Sequence, residues 1–167
     1  YHLFNRFAPY QAFPGKAAAF LTDLFERFGQ KDGEGLGAQH VIDAFIRRTG
    51  LPELFLRDEI TLELSEVMKT FQKQIIDQDE ACRMGADLVA TFKAGLNDPN
   101  RPAGVLLFCG PTGVGKTELA RAISRFFFGH GAGVEDRLVR LDMSEYSGPG
   151  ASDRLFGEPD GEPSDFV

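Results

Sequence analysis

The residues equipped for chemistry are Gly110, Pro111, Thr112, Gly113, Val114, Gly115, Lys116 and Thr117. They match G-x-x-x-x-G-K-[ST] at every fixed position, the pattern of a phosphate-binding P-loop. A polyphosphate needs several backbone N–H groups turned onto one anion, and glycine permits the backbone angles and close approach this requires. Lys116, the catalytic candidate, supplies a mobile charge for the β- and γ-phosphates, and the Thr117 hydroxyl suits a Mg²⁺ ligand. Glu118 follows directly and opens a helical pattern, where a carboxylate is favoured by the helix dipole. The pattern therefore predicts binding of a nucleoside triphosphate with Mg²⁺, or descent from a chain that bound one.

Such a loop must be carried between a strand and a helix. Val105-Leu106-Leu107-Phe108 predicts the strand, and the stretch from Glu118 to Phe128 the helix. That helix offers free N-terminal N–H groups and about half a positive charge from its dipole. Leu138-Val139-Arg140-Leu141 predicts a second short strand, and 147–164, rich in Gly and Pro, a loop. The expected fold class is α/β: a P-loop partial parallel sheet with flanking helices, preceded by a small helical subdomain. Two strands are fewer than a self-sufficient parallel sheet has, so apolar sheet surface would be left uncovered.

Upstream, Phe20, Leu21, Leu24, Phe25 and Phe28 share one helical face beginning at Pro14. Gly29 and the loop 31–37 end that helix. A second helix turns Val41, Ile42, Phe45 and Ile46 inward and stops at Gly50. Beyond Pro52, a helical spacing runs over 58–74, and another helix carries Cys82, Leu88, Val89 and Phe92 to about Leu96. The phenylalanines read as packing residues. Asn97 to Pro102 forms a stiff connector into the loop strand.

The chain has 167 residues, 43% hydrophobic, with a net charge of −7. That acidic balance, with no basic stripe, argues against nucleic acid as a partner. His2, His40 and His130 stand alone, and Cys82 and Cys109 are far apart, so neither metal nor disulfide spacing is present. No apolar stretch approaches the ~18 residues of a membrane span, and a cytoplasmic, reducing compartment is expected. The start at Tyr1 and the stop at Val167, in what reads as a helix start capped by Ser164, suggest a piece of a longer polypeptide.

Three stretches together resemble one family. They are Ile76-Asp77-Gln78-Asp79-Glu80-Ala81, then Ala94 to Pro102 running into the loop, then Arg140-Leu141-Asp142-Met143-Ser144-Glu145-Tyr146. In order and spacing they are similar to the second ATPase module of the Clp/heat-shock AAA+ protein unfoldases. Phe13-Pro14-Gly15-Lys16-Ala17 resembles, more weakly, the lid of a preceding module, and His40 to Leu51 the segment leading out of it. The resemblance implies a lid-like subdomain over 1–50, a linker helix over 51–75, and the first part of a second ATPase domain over 76–167. It implies a ring-forming ATPase, usually hexameric, acting on protein substrates, with a protease as a possible partner. It also places Ile75 and Ile76 beside the adenine, although adjacent isoleucines before a helix could equally pack beneath it. Two departures stand out. The family usually has Gly at position 77, which matters if the turn needs a positive φ. The family's aromatic pore residue has no counterpart in Glu158 to Ser164, which puts polypeptide threading in doubt.

Hydrolysis needs a second carboxylate for Mg²⁺ and water, and a cation for the transition state. Asp142 is set aside as that carboxylate, because Arg140 interrupts the apolar run a buried strand would have. The resemblance places the acidic motif and the arginine finger further downstream. The 167 residues alone are thus expected to bind ATP–Mg²⁺ weakly without turning it over. Two other readings remain: an ATP-gated assembly module, and another P-loop enzyme such as a kinase, against which the spacing of 140–146 from Lys116 speaks. Cys109 reads as a small strand residue unless thiol reagents inhibit and ATP protects.

Overall fold

A computed structural model describes residues 1–8, 12–28, 35–98, 101–129 and 137–157. The helices are α1 (His2–Phe7), α2 (Gly15–Phe28), α3 (Ala38–Thr49), α4 (Glu53–Leu56), α5 (Leu64–Gln72), α6 (Asp79–Lys93), α7 (Lys116–Phe128) and α8 (Ala151–Phe156). The chain divides into two compact units, 1–137 and 138–167. Residues 158–167, which hold the altered pore region and the Ser164 cap, lie outside the described residues, as do Gly29 with 30–34 and His130 with 131–136.

The first unit is built on phenylalanine. At one end, Phe4 of α1 meets Phe20 of α2 and Phe45 of α3 edge-on, at centroid separations of 5.2 and 5.4 Å. At the other, Phe55 of the one-turn α4 is fully buried and stacks on Phe127 of α7 at 5.0 Å, with the edge of Phe92 of α6 5.3 Å away. Each such ring contributes about 1.5–3 kcal/mol through burial, with a further increment from the ring–ring geometry. Between them α5, α6 and α7 pack together, with Val67, Phe71, Cys82, Ala86, Val89 and Leu119 inaccessible or nearly so. Gly85 makes this approach possible. A side chain there would begin 3.2 Å from Ile123 of α7 and 3.3 Å from Phe71 of α5.

Local signals set most helix ends. Gly50 ends α3 in the left-handed conformation (φ 71°), its N–H reaching back to Ile46 O. The start of α3 is closed by His40, whose Nδ1 accepts the Gly37 N–H at 3.2 Å while its ring lies against Phe28. Arg6 does the same work at long range. Its Nη2 donates to the last carbonyls of α6, Phe92 O at 2.7 Å and Lys93 O at 2.6 Å, and so satisfies acceptors that every helix end leaves open.

The expected partial parallel sheet is not formed: among the described residues there is no strand, and the regular elements are helices. Residues 105–108 carry no regular element and no ladder partner among the described residues, with Val105 86% and Leu107 83% exposed, while Phe108 packs on the helical core. Leu138 to Leu141 is likewise unpaired, with Val139 and Leu141 exposed. A strand is stabilised by a neighbour's backbone and by cover on both faces. No described segment supplies either, so an apolar run of the right length stays a single unpaired stretch. The loop expected over 147–164 is also corrected, since Gly150 (φ 76°) opens α8 within it.

Candidate functional site

The loop from Gly110 to Gly115 rises out of the unpaired stretch and runs straight into α7. Three of its glycines hold angles that L-residues avoid: φ is 153° at Gly110, 87° at Gly113 and 93° at Gly115, the last being the N-cap of α7. Pro111, Thr112 and Gly113 are exposed, Val114 and Gly115 half-buried. The N–H groups of residues 112 through 118 make no hydrogen bond to any described residue. Some are the donors any helix start leaves open. Together they form a continuous run of amides free for an anion, with the dipole of α7 behind them.

Lys116 is folded back over this run. Its Nζ donates to Gly110 O at 2.8 Å and to Pro111 O. Both acceptors are neutral and solvent-accessible, and among the described residues Lys116 has no carboxylate partner. The ammonium can therefore exchange two carbonyls for phosphate oxygens without breaking an ion pair. Thr117 is exposed. Glu118, read from the sequence as a dipole partner, is in addition paired with two cations of its own helix, Arg125 at 2.9 Å and Arg121 at 3.6 Å.

The two isoleucines separate. Ile75 is 4% exposed, and its Cγ2 lies 3.5 Å from where a side chain on Gly115 would start. Ile76 is 78% exposed, and its backbone N–H and C=O bond to no described residue. The turn that parts them from α6 runs through Asp77 at φ 57°. Aspartate tolerates this conformation better than most residues but still works against it. Asp77→Gly is therefore expected to raise stability by up to about 1 kcal/mol, and Asp77→Val to lower it, as read from urea-denaturation midpoints.

One contact missed from the sequence belongs here. Gln74 Oε1 accepts from Arg125 Nη1 at 3.0 Å, tying the segment before Ile75 to the loop helix. The only signal was the spacing of Glu118 and Arg125 on one face of α7. Cys109, beside the loop, is exposed. Cys82 is buried, and burial, helped by the Asp79 carboxylate, pushes its thiol up.

In the second unit Asp142 serves its own turn. Its Oδ1 accepts from Ser144 Oγ at 2.7 Å and from the Ser144 N–H at 3.2 Å. These two bonds, with Arg140 assisting, hold the carboxyl below the ordinary aspartate value. A depressed value stabilises the turn fully above the unfolded aspartate pKa, and the contribution is lost as pH falls through the lower, folded value. Ser144→Ala is expected to move the Asp142 carboxyl midpoint upward in a carbon NMR titration.

The family model described as AAA domain (Cdc48 subfamily) matches residues 101–164. Chaperone protein ClpB of Enterococcus faecalis is 47% identical over 115 residues, covering 69% of this chain and 13% of that protein. ClpB 1 of Thermosynechococcus vestitus is 43% identical over 155 residues, covering 84% of this chain and 17% of that protein. The chain belongs to the Clp/heat-shock family of AAA+ proteins. ClpB of Porphyromonas gingivalis, 40% identical over 136 residues, repeats the pattern with 81% of this chain and 15% of its own length covered. The chain thus spans between about an eighth and a sixth of these relatives. Within this Clp/heat-shock chain the positive φ at residue 77 bears directly on the departure from the family's usual glycine. No helix among the described residues is long and apolar enough to cross a membrane.

Proposed function

We propose that residues 110–118 hold the phosphates of ATP in a Clp-like chaperone ATPase, and that Ile75 and Ile76 border the adenine. The observation that carries this reading is the run of amides from 112 to 118, unpaired among the described residues, shaped by positive φ at Gly110, Gly113 and Gly115 and overlain by a lysine with no carboxylate partner among those residues. Lys116 carries the charge of the β- and γ-phosphates, and the exposed Thr117 hydroxyl is the magnesium ligand. Bound Mg²⁺ would neutralise phosphate charge and orient the terminal phosphoryl group. Ile75 supports the loop from below, and the open N–H and C=O of Ile76 are free to read a base edge.

In this reading 1–50 is a lid-like subdomain, 51–75 a linker and 76–167 part of a second ATPase domain. The longer protein is a cytoplasmic ring, a hexamer by family habit, that spends ATP on remodelling other proteins, with or without a protease partner. An ATP-gated assembly module is the second reading, favoured by the absence of an aromatic residue from Glu158 to Ser164. The 167 residues alone bind ATP–Mg²⁺ weakly and without sustained turnover, since hydrolysis needs a second carboxylate and a cation that the loop itself does not supply. Steady-state phosphate release from the chain that disappears in Lys116→Ala would refute the lack of turnover. Failure of a fluorescent ATP analogue to saturate would refute the site.

A further inference from the structure

Nothing in the phosphate-loop pattern calls for Arg125. Yet one nitrogen of its guanidinium serves two elements at once, donating to Glu118 Oε1 at 2.9 Å and to Gln74 Oε1 at 3.0 Å. Glu118 directly follows Thr117, and Gln74 directly precedes Ile75. The path from the phosphate end of the site to the base end is therefore closed by a single side chain. Arg121, 3.6 Å from the other oxygen of Glu118, steadies the carboxylate that aims Arg125.

Packing already brings the two elements together, through Phe71 against Phe126 at 5.8 Å and Ile75 under Gly115. Apolar contacts of this kind tolerate sliding, whereas a hydrogen bond from a fixed guanidinium fork is directional. A ligand that touches only the loop is indifferent to the register between turn and helix. One that spans from the loop amides to the Ile76 backbone is not, because its own length must match the distance between them.

We propose that Arg125 is a positioning residue for nucleotide selectivity, fixing the Gln74–Ile76 turn against α7 so that base and phosphates are read in register. This rests on residues 75–76 and 110–118 forming one ATP site. Removing it loosens the base end and leaves the phosphate end as it was. The side chain is 34% exposed, so solvent moderates the effect.

Calorimetric titrations of the 167-residue chain with ATP–Mg²⁺, GTP–Mg²⁺ and inorganic tripolyphosphate–Mg²⁺ test it. Arg125→Ala and Gln74→Ala are each expected to weaken ATP about five- to tenfold, to narrow the preference for ATP over GTP, and to leave tripolyphosphate unchanged. The double variant should lose no more than either single one. Equal weakening of ATP and tripolyphosphate would overturn the proposal, as would no weakening of ATP. A wild-type chain that binds neither ATP nor tripolyphosphate would overturn the ATP site itself and the proposal with it, whereas equal wild-type affinity for these two would leave the phosphate end standing and overturn the base contact and the proposal.

Discussion

Lys116→Ala is expected to weaken ATP–Mg²⁺ binding by about thirty- to a hundred-and-fifty-fold, corresponding to ~2–3 kcal/mol for a lost charge-assisted contact, while the fold is untouched. The asymmetry follows from where the ammonium rests. Its partners, Gly110 O and Pro111 O, lie in an exposed loop that water can satisfy as well as lysine does. Removing it leaves no buried acceptor stranded, so stability should stay within about 0.5 kcal/mol of the parent. In the presence of triphosphate the same ammonium faces several negative charges beside the positive end of α7, and nothing else described replaces it. Calorimetry with ATP–Mg²⁺ and a parallel urea melt separate the two quantities. A variant that unfolds would show the lysine to be structural, and one that binds unchanged would show the phosphates to lie elsewhere.

Phe55→Ala carries the largest expected cost in stability, about 3–5 kcal/mol for a buried aromatic, a large share of the ~5–15 kcal/mol that holds most domains. Phe55 is wholly inaccessible, stacked on Phe127 of the loop helix with Phe92 and Phe126 edge-on around it. α4 is a single turn, too short to persist by its own hydrogen bonds. Its apolar anchors are that ring and Leu56, with the Arg57 carbonyl at its end accepting from Lys93 of α6. The cavity left by alanine cannot close without moving α6 and α7, which already meet at Gly85. Phe25→Ala, whose ring is 58% exposed on α2, is the matched control and should change the denaturation midpoint little. A cost below about 1 kcal/mol at Phe55 would mean that the ring is not anchored in this way.

The backbone of the glycine-rich loop was legible because its glycines answer a local demand. The glycines at 110, 113 and 115 must turn where other residues cannot, and the lysine follows at the first helical position. Helical faces were legible for a similar reason: Phe20, Leu24, Phe45, Val67 and Phe71 repeat at the helical period and are buried, although Leu21 and Phe25, read onto the same face of α2, are exposed. The sheet was not, because pairing is settled by partners distant in sequence, and the run Val105 to Phe108 says nothing of whether a neighbour exists. Arg6 on the end of α6 and Arg125 on Gln74 were hidden for the same reason. Each joins residues far apart along the chain by polar contacts that leave no periodic trace. Asp77 lies between these extremes, since the sequence could pose the question of its backbone angle but only the turn could answer it.

The unpaired stretch from Val105 to Phe108 has a practical consequence for anyone concentrating this chain. Val105 and Leu107 point to water from a ribbon whose amides and carbonyls have no mates among the described residues, an open edge on which a second copy of the chain can pair. Precipitates should therefore be rich in cross-strand order. A lysine placed at 105 or 107 would act as a gatekeeper, raising solubility while leaving Phe108 seated in the helical core.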